Sequence, residues 1–415
     1  MSQSPNAEEL RTKEEREAAL MAALPEQITH AQQSAPAFAK ILSGIDARNI
    51  NSREKLQTLP ITRKADLLRI QQENRNESVL GGLAAVGFGP DMPRVFASPG
   101  IIFEPQGKKV DYWRMSRGLR AAGFRTGDVV QNCFSYHFTP AGFMMDTAAQ
   151  ALGCTVFPAG TGQTEQQVLA MMELKPMAYI GTPSFLRVLL ERAQELSQPI
   201  TSLEKAMVSG EALPESLRTW FADQGVQVYQ MYGTADVGLI AYETTALEGM
   251  VVDEEVILEI VDPDTGEPVP EGAIGEVVIT TLNREYPLIR YGTGDLSAVL
   301  PGDCPTGRTN IRITGWMGRA DQTTKVRGLF VHPQHVEQII SATPQIKKAR
   351  LQISGKMAND RMVLQVESTE RSESLKEELV QKIRDVTKLR GEVEFVEKGI
   401  LTDEGKLIED IRSYD

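Results

Sequence analysis

The order of apolar and polar positions divides the chain into two regions of different character. From about Gly118, short apolar runs alternate with stretches of helical period. Val129-Val130, Thr155-Val156-Phe157-Pro158, Ala178-Tyr179-Ile180, Ala206-Met207-Val208 and Val226-Gln227-Val228-Tyr229 predict strands. Between them the pattern predicts a small-residue helix ending near Gly153 and a helix opened by Thr164 and Gln167 as a capping box. A third helix is capped by Ser184 and runs to about Leu196, and a fourth starts at Pro214. Strands that alternate with helices predict a parallel sheet in an α/β domain. Residues 1–45 read as helical and packed on that body, and Thr62 reads as the cap of a further helix. From Ile257 to Thr281 the period changes to two, with turns at Asp264-Thr265-Gly266 and Glu271-Gly272, which predicts an antiparallel β subdomain.

After Met317 the pattern describes a smaller unit. A strand is expected over 324–331, then a helix started by Pro333 with Val336, Ile339 and Ile340 on one face. Strands at 348–354 and 361–367 follow, then a helix carrying Leu375, Leu379, Ile383 and Val386. Ser374 and Glu377 are its expected capping box and Gly391 its stop. A strand with Val393 and Phe395 closes the set. That β-α-β-β-α-β order predicts a split ferredoxin-like arrangement. The expected fold is therefore α/β: a large multi-subdomain unit over 1–317 with an antiparallel β subdomain, and a small, mobile α+β unit over 318–415, hinged near Asp321.

Composition narrows the class. At 415 residues the chain is long enough for two domains, and 41% apolar with 24% charged residues describes a globular protein. A net charge of −12 argues against a general nucleic-acid binder and requires local cations for any anionic ligand. No apolar run reaches the roughly 18 residues of a membrane span, and the polar, acidic N-terminus argues against a secretory signal. Cys133, Cys154 and Cys304 form no close pair, so neither a disulfide framework nor a cysteine zinc cluster is expected. A reducing cytoplasm is the expected location.

Candidate chemistry gathers late in the chain. Arg-Tyr-Gly-Thr-Gly-Asp-Leu at 290–296 ends an apolar run in Asp295, a carboxylate on a glycine-flanked turn that can accept two hydrogen bonds from vicinal hydroxyls. Residues 318–328 then place Arg319, Asp321, Lys325, Arg327 and Gly328 between two differently patterned regions, as at a hinge. In open α/β sheets ligands collect beyond the carboxyl ends of strands. Three small-residue loops are expected there: Gly181-Thr182-Pro183, Ser209-Gly210-Glu211-Ala212 and Tyr232-Gly233-Thr234-Ala235-Asp236.

Tyr-Gly-Thr-Gly-Asp followed by Gly-Arg-x-Asp-x-x-x-Lys-x-Arg-Gly resembles the two late core motifs of the adenylate-forming acyl-CoA ligase superfamily, and most of all its phenylacetate-CoA ligase branch. Leu59-Pro60-Ile61-Thr62-Arg63-Lys64-Ala65-Asp66-Leu67 is similar to the entry segment of that branch. The resemblance runs from about Leu59 to Lys406. It implies ATP-dependent conversion of a carboxylic acid to acyl-AMP and then to acyl-CoA, with AMP and pyrophosphate released. Asp295 would hold the ribose hydroxyls with Arg319 beside them, and Asp321 would be the hinge. Gly210-Glu211-Ala212 would line adenine, and Tyr232, Gly233 and Thr234 would belong to the nucleotide site. Asp236, one methylene shorter than the family's glutamate, would face Mg²⁺. Tyr136 and His137 would line a pocket for an aromatic acid such as phenylacetate or benzoate. Lys406, in Ile400-Leu401-Thr402-Asp403-Glu404-Gly405-Lys406, would be the catalytic lysine, and Lys325, Arg327 and Gly328 would face coenzyme A.

One segment departs from the family. Its phosphate loop is rich in Ser, Thr and Gly and carries a lysine. Here Ser98 and Gly100 remain, while Ile101-Ile102-Phe103-Glu104 replaces Thr-Thr-Gly-Lys. Pro99 removes an amide donor and Glu104 has the sign that repels phosphate. A Glu104→Lys change is therefore expected to favour ATP. Cys304-Pro305-Thr306-Gly307-Arg308 lacks the second cysteine of some relatives, so no structural zinc is expected. The alternatives left open are an adenylate-forming enzyme with a carrier-protein acceptor, a non-catalytic adenylate binder, and a hinged two-domain binding protein. The expected ligands are ATP, Mg²⁺, coenzyme A and a small carboxylic acid, without nucleic acid or membrane; a homodimer is an open assembly state.

Overall fold

A computed structural model of the chain describes residues 5–412 except Gly100, Asp321, Thr323, Gly328, Met357, Ala358, Lys398 and 402–406. The chain divides into two compact units, Met1–Met317 and Gly318–Asp415.

The strands of the first unit are β1 (Thr62–Arg63), β2 (Arg94–Ser98), β3 (Ile102–Gln106), β4 (Val129–Asn132), β5 (Thr155–Pro158), β6 (Ala178–Gly181) and β7 (Lys205–Val208). They continue with β8 (Gln227–Thr234), β9 (Gly238–Tyr242), β10 (Met250–Val252), β11 (Val256–Val261), β12 (Gly275–Thr281), β13 (Tyr291–Ser297), β14 (Val299–Leu300) and β15 (Arg312–Ile313). One nine-stranded sheet runs β14-β15-β10-β9-β8-β7-β6-β4-β5. Its β8-β7-β6-β4-β5 half is parallel, as the strand–helix alternation requires. The central strands β6 and β7 are buried along their whole length, as inner strands of a parallel sheet are. A second sheet, β1-β13-β12-β11, is antiparallel except that β1 lies parallel to β13.

Several local expectations are corrected. Thr62 is a strand residue, and the helix begins at Lys64, with the Asp66 carboxylate accepting from the Arg63 amide at 3.0 Å. Thr164 is the first helical residue rather than the cap; Gln167 instead donates to the Gly160 and Gly162 carbonyls. Thr182, not Ser184, caps the helix Pro183–Glu195 by accepting from the Phe185 amide, because Pro183 fills the first turn and leaves the cap to the residue before it. The strand expected to end at Tyr229 extends to Thr234, so Tyr232, Gly233 and Thr234 sit at the strand end and not in a loop.

The N-terminal helix Lys13–Ser34 and the short helices after it pack Leu24, Ile28 and Phe38 on β11 to β13, forming one core; a second lies around Trp113, Leu119, Met144 and Ile180. The segment before that helix is pinned by a buried carboxylate. Glu9 accepts from the Tyr242 hydroxyl at 2.5 Å, Arg120 at 2.8 Å and Arg308 at 3.0 Å, and from the Asn6 amide at 2.7 Å. Burial pushes its carboxyl up, but the Tyr242 hydroxyl, the Asn6 amide and Arg308 outweigh it and hold Glu9 below the usual carboxylate range. A depressed folded-state value stabilises the native state above the unfolded value and is lost as pH falls through the folded one. Glu9→Ala takes this partner from the buried Arg308. It should cost about 3–5 kcal/mol in urea unfolding at neutral pH, with less difference from wild type in acid. An unchanged midpoint at neutral pH counts against the anchor.

In the second unit the strands are β16 (Thr324–Val326), β17 (Leu329–Val331), β18 (Ile346–Lys356), β19 (Asn359–Ser368), β20 (Glu392–Phe395) and β21 (Ile408–Asp410). Helices Pro333–Ser341 and Glu373–Thr387 carry Val336, Ile339, Leu375, Leu379 and Ile383 into its core. The single strand expected over 324–331 is a hairpin turned at Arg327, which has φ 48°. Ser372 rather than Ser374 caps the second helix, and Lys388, in the left-handed region, ends it before Gly391. The four-stranded sheet runs β20-β19-β18-β21. The element order is the expected one, but β20 lies parallel and directly beside β19, so the crossover through the second helix is unsplit. β21, which the sequence pattern did not announce, pairs parallel with β18 on the far side. The ferredoxin-like strand order is therefore corrected: periodicity gives elements, not their neighbours.

Candidate active site

A bulge positions Asp295. Between the pairs Glu276↔Leu296 and Val278↔Gly292 the β12–β13 register shifts, and β13 carries the extra residues. Gly294 takes φ +72° there, a conformation that glycine adopts without cost. Thr293 Oγ1 donates to the Val277 carbonyl at 2.9 Å and accepts from the Asp295 amide at 3.1 Å. The Gly294 amide donates to Glu276 at 3.1 Å, and Arg63 on β1 pairs with that same carboxylate at 2.6 Å. Bulges re-aim side chains in this way. Asp295 is thus inside a strand, not on a free turn. Its Oδ2 accepts from the Tyr232 hydroxyl at 2.8 Å and its Oδ1 from the Trp316 indole at 3.1 Å. A carboxylate has about four acceptor positions, so it can serve protein donors and a ligand hydroxyl together.

The candidates around Gly210, Tyr232 and Tyr136 lie at or after the carboxyl ends of β7, β8 and β4, whereas Ser98 lies on the antiparallel β2–β3 hairpin. Gly210, at φ +79°, follows β7, and Glu211 accepts from the Ser184 amide at 3.3 Å; Ala212 is half-buried beside it. Gly233 stands where β8 meets β9: a Cβ there would lie 2.6 Å from the Gly238 carbonyl oxygen. Thr234 Oγ1 accepts from the Val237 amide, closing the turn that carries Asp236. Tyr136 accepts from Asn132 at 2.8 Å and meets Phe143 edge-on at 5.2 Å, while Arg94 lies over the Phe143 ring at 4.5 Å. The Ala97 amide donates to the Phe138 carbonyl, so the β2–β3 hairpin and the 132–143 segment are neighbours. His137 is exposed, and its amide donates to Ser135 in the same turn. Cys133, in this segment, is buried, and burial pushes its thiol up to about 12, so it is no nucleophile at neutral pH.

Lys64 is the residue that the sequence left without a role. It opens the helix Lys64–Glu73 directly after β1, whose pairing Thr62↔Tyr291 and Arg63↔Gly292 sets it beside the β13 bulge. Its ammonium lies 2.5 Å from Glu104 Oε1 and 2.8 Å from each oxygen of Asp236. Both carboxylates are almost fully buried, with side chains 2% and 4% exposed. The Tyr291 hydroxyl donates to Asp236 at 3.0 Å, and the Ser98 hydroxyl to Glu104 at 2.8 Å. Burial works against the charged form of Lys64, but Asp236 and Glu104 outweigh it and hold the ammonium protonated. Burial pushes Glu104 up, against the attraction of Lys64 and with the repulsion of Asp236. The Thr-x-Lys-x-Asp spacing around Lys64 is the available signal, and by itself it reads only as a helix start.

Glu104 therefore does not point at open phosphate space. The gain for ATP expected of Glu104→Lys does not survive this geometry, since two ammonium groups would share one buried site. Ser98 has its hydroxyl on Glu104, and the Ile101 amide donates to the Ser98 carbonyl at 3.0 Å. Asp236 has both oxygens on Lys64, so it does not fit a metal as it stands; among the described residues no group of three or more His, Cys, Asp or Glu could hold one.

In the second unit Arg319 is half-buried, and Lys325 lies on β16. The Arg327 amide donates to the Asp360 carboxylate and its guanidinium to the Asp360 carbonyl at 2.7 Å. Gly100, Asp321, Gly328 and Lys406 lie outside the described residues.

Residues 110–283 match the AMP-binding enzyme family. The phenylacetate-coenzyme A ligase of Thermus thermophilus is 33% identical over 336 residues, 77% of this chain and 74% of that one. The enzyme of the same name from Escherichia coli (strain K12) is 28% identical over 75% of this chain and 73% of its own. The fold matches the crystal structure of 2-hydroxyisobutyryl-CoA ligase in complex with 2-HIB-AMP and CoA, with a TM-score of 0.84, 23% identity and coverage of 99% and 94%. The chain belongs to the phenylacetate-coenzyme A ligase family of AMP-binding enzymes. It is an acid–thiol ligase of the AMP-forming kind.

Proposed function

We propose that the acid is aromatic or otherwise flat, that Asp295 holds the ribose of its adenylate, and that coenzyme A is the thiol. The carrying observation is the Asp295 carboxylate, oriented by the bulge and by Tyr232 and Trp316 at the carboxyl edge of the parallel sheet. The Tyr136–Phe143 pair beside the β2–β3 hairpin supports a flat acyl group. In the first half-reaction a carboxylate oxygen attacks the α-phosphorus and the bond to pyrophosphate breaks. In the second the thiol sulfur bonds to the carbonyl carbon, the acyl–oxygen bond breaks, AMP leaves, and the thiol proton passes to solvent. Gly210, Glu211 and Ala212 border the base, with Tyr232, Gly233 and Thr234 opposite. Arg319, and a turn of the small unit about Asp321, serve the exchange between the two steps, and Lys325, Arg327 and Gly328 face coenzyme A. Mg²⁺ accompanies ATP as the counter-ion of its phosphates. Three buried free cysteines suit a reducing cytoplasm.

Ser98 and Ile101 are already bonded within the β2–β3 hairpin, which leaves the phosphate side of the site with fewer donors. Adenosine and the α-phosphate are therefore gripped better than the β- and γ-phosphates. Calorimetric titration is expected to show AMP binding at least as tightly as Mg-ATP, and aromatic acids should elicit pyrophosphate release with free coenzyme A consumed. Pyrophosphate without coenzyme A consumption would point to a carrier-protein thiol. No pyrophosphate with any aromatic acid would overturn the proposed acyl group. ATP binding much tighter than AMP would overturn this reading of the loop.

A further inference from the structure

We propose that Lys64 takes the place of a protein-held divalent cation in this chain, so that Asp236 and Glu104 are bridged by an ammonium and the folded protein offers Mg²⁺ no carboxylate ligand at this corner. The proposal rests on the reading of this corner as the phosphate side of the site, but its test does not depend on turnover.

The geometry is that of a cation in a carboxylate cage. One ammonium contacts three oxygens of two buried side chains, at 2.5, 2.8 and 2.8 Å. An ammonium has three protons, and these contacts use all of them. The cage is further closed by the Tyr291 and Ser98 hydroxyls, which donate to Asp236 and Glu104. Two carboxylates gathered on one point repel unless a cation lies between them. Mg²⁺ is commonly held by one or two carboxylates together with substrate phosphates, so the same two side chains would serve a metal if the lysine were absent. Three separate elements supply the parts. Glu104 comes from the β2–β3 hairpin and Asp236 from the β8–β9 turn. Lys64 is carried in by the short parallel pairing of β1 with β13. The hairpin that lacks the loop lysine thus supplies the carboxylate that fixes a lysine from elsewhere.

Titration of the full chain with MnCl₂, followed by the paramagnetic resonance signal of free aqueous Mn²⁺, tests this without substrates. Wild type is expected to leave the free signal unchanged at millimolar metal. Lys64→Met should bind one Mn²⁺ at least tenfold more tightly than wild type, and Mn²⁺ should raise its melting temperature. Adding Asp236→Asn to Lys64→Met should abolish that gain. One tight Mn²⁺ on wild type that Asp236→Asn removes would overturn the proposal, as would a folded Lys64→Met variant with no gain in metal affinity. If Lys64→Met does not fold, Lys64→Gln carries the same comparison, and the wild-type titration decides against the proposal by itself if metal binds at Asp236.

Discussion

Lys406→Ala is expected to lower acid-dependent pyrophosphate release by about 10²–10³-fold, while thioester formation from a supplied acyl-adenylate continues at the wild-type rate. The first half-reaction gathers negative charge on the α-phosphate as the carboxylate approaches and pyrophosphate departs. A cation placed on that charge is worth more in the transition state than in the ground state, and its loss is read in kcat more than in KM. The second half-reaction expels AMP from a carbonyl and needs no such contact from the same lysine. Lys406 stands on a Gly-preceded tail segment in the unit beyond Gly318, and a unit that turns about Asp321 would withdraw it between the steps. The measurement is the pair of half-reaction rates in one preparation. Equal loss in both assigns the lysine to folding or to nucleotide binding in general; no loss in the first returns it to the surface.

Asp295→Ala is expected to weaken AMP binding by roughly 1.5–3 kcal/mol, about 10- to 150-fold in Kd. The carboxylate is 7% exposed, and its bonds from Tyr232 and Trp316 hold it rigidly, so little ordering remains to be done when a ribose arrives. Alanine also takes this acceptor from the Tyr232 hydroxyl in a buried setting, so some stability is lost as well. Asp295→Asn separates the two effects. It keeps an acceptor for Tyr232 but turns an amide nitrogen toward the Trp316 indole, so it restores part of the stability, and without a charge it recovers affinity only in part. Calorimetry on folded Asp295→Ala that returns wild-type AMP affinity would remove the residue from the site.

The sequence by itself determined the parts that depend on neighbours in the chain. Apolar runs such as Ala206-Met207-Val208 suit central strands, and their alternation with helical periods dictates a parallel half-sheet. Tyr-Gly-Thr-Gly-Asp announces a carboxylate beside a glycine free to take positive φ, but as a turn; the β12–β13 register shift makes it a bulge inside a strand, with Gly294 at φ +72°. Other features were settled by tertiary structure. Whether Thr62 capped a helix or joined a sheet depended on the main chain of Tyr291 and Gly292, far along the sequence. The neighbours of β20 and β21 depended on which strand edge was open, which periodicity does not encode. The meaning of Glu104 turned on the same kind of fact. Read alone it was a charge of the wrong sign for phosphate; folded, it is one of two buried carboxylates that hold the half-buried Lys64. The energy of a charge in a protein is set by the groups that surround it in space, and Lys64, Glu104 and Asp236, which lie on segments far apart in the chain, meet only when the sheets have formed.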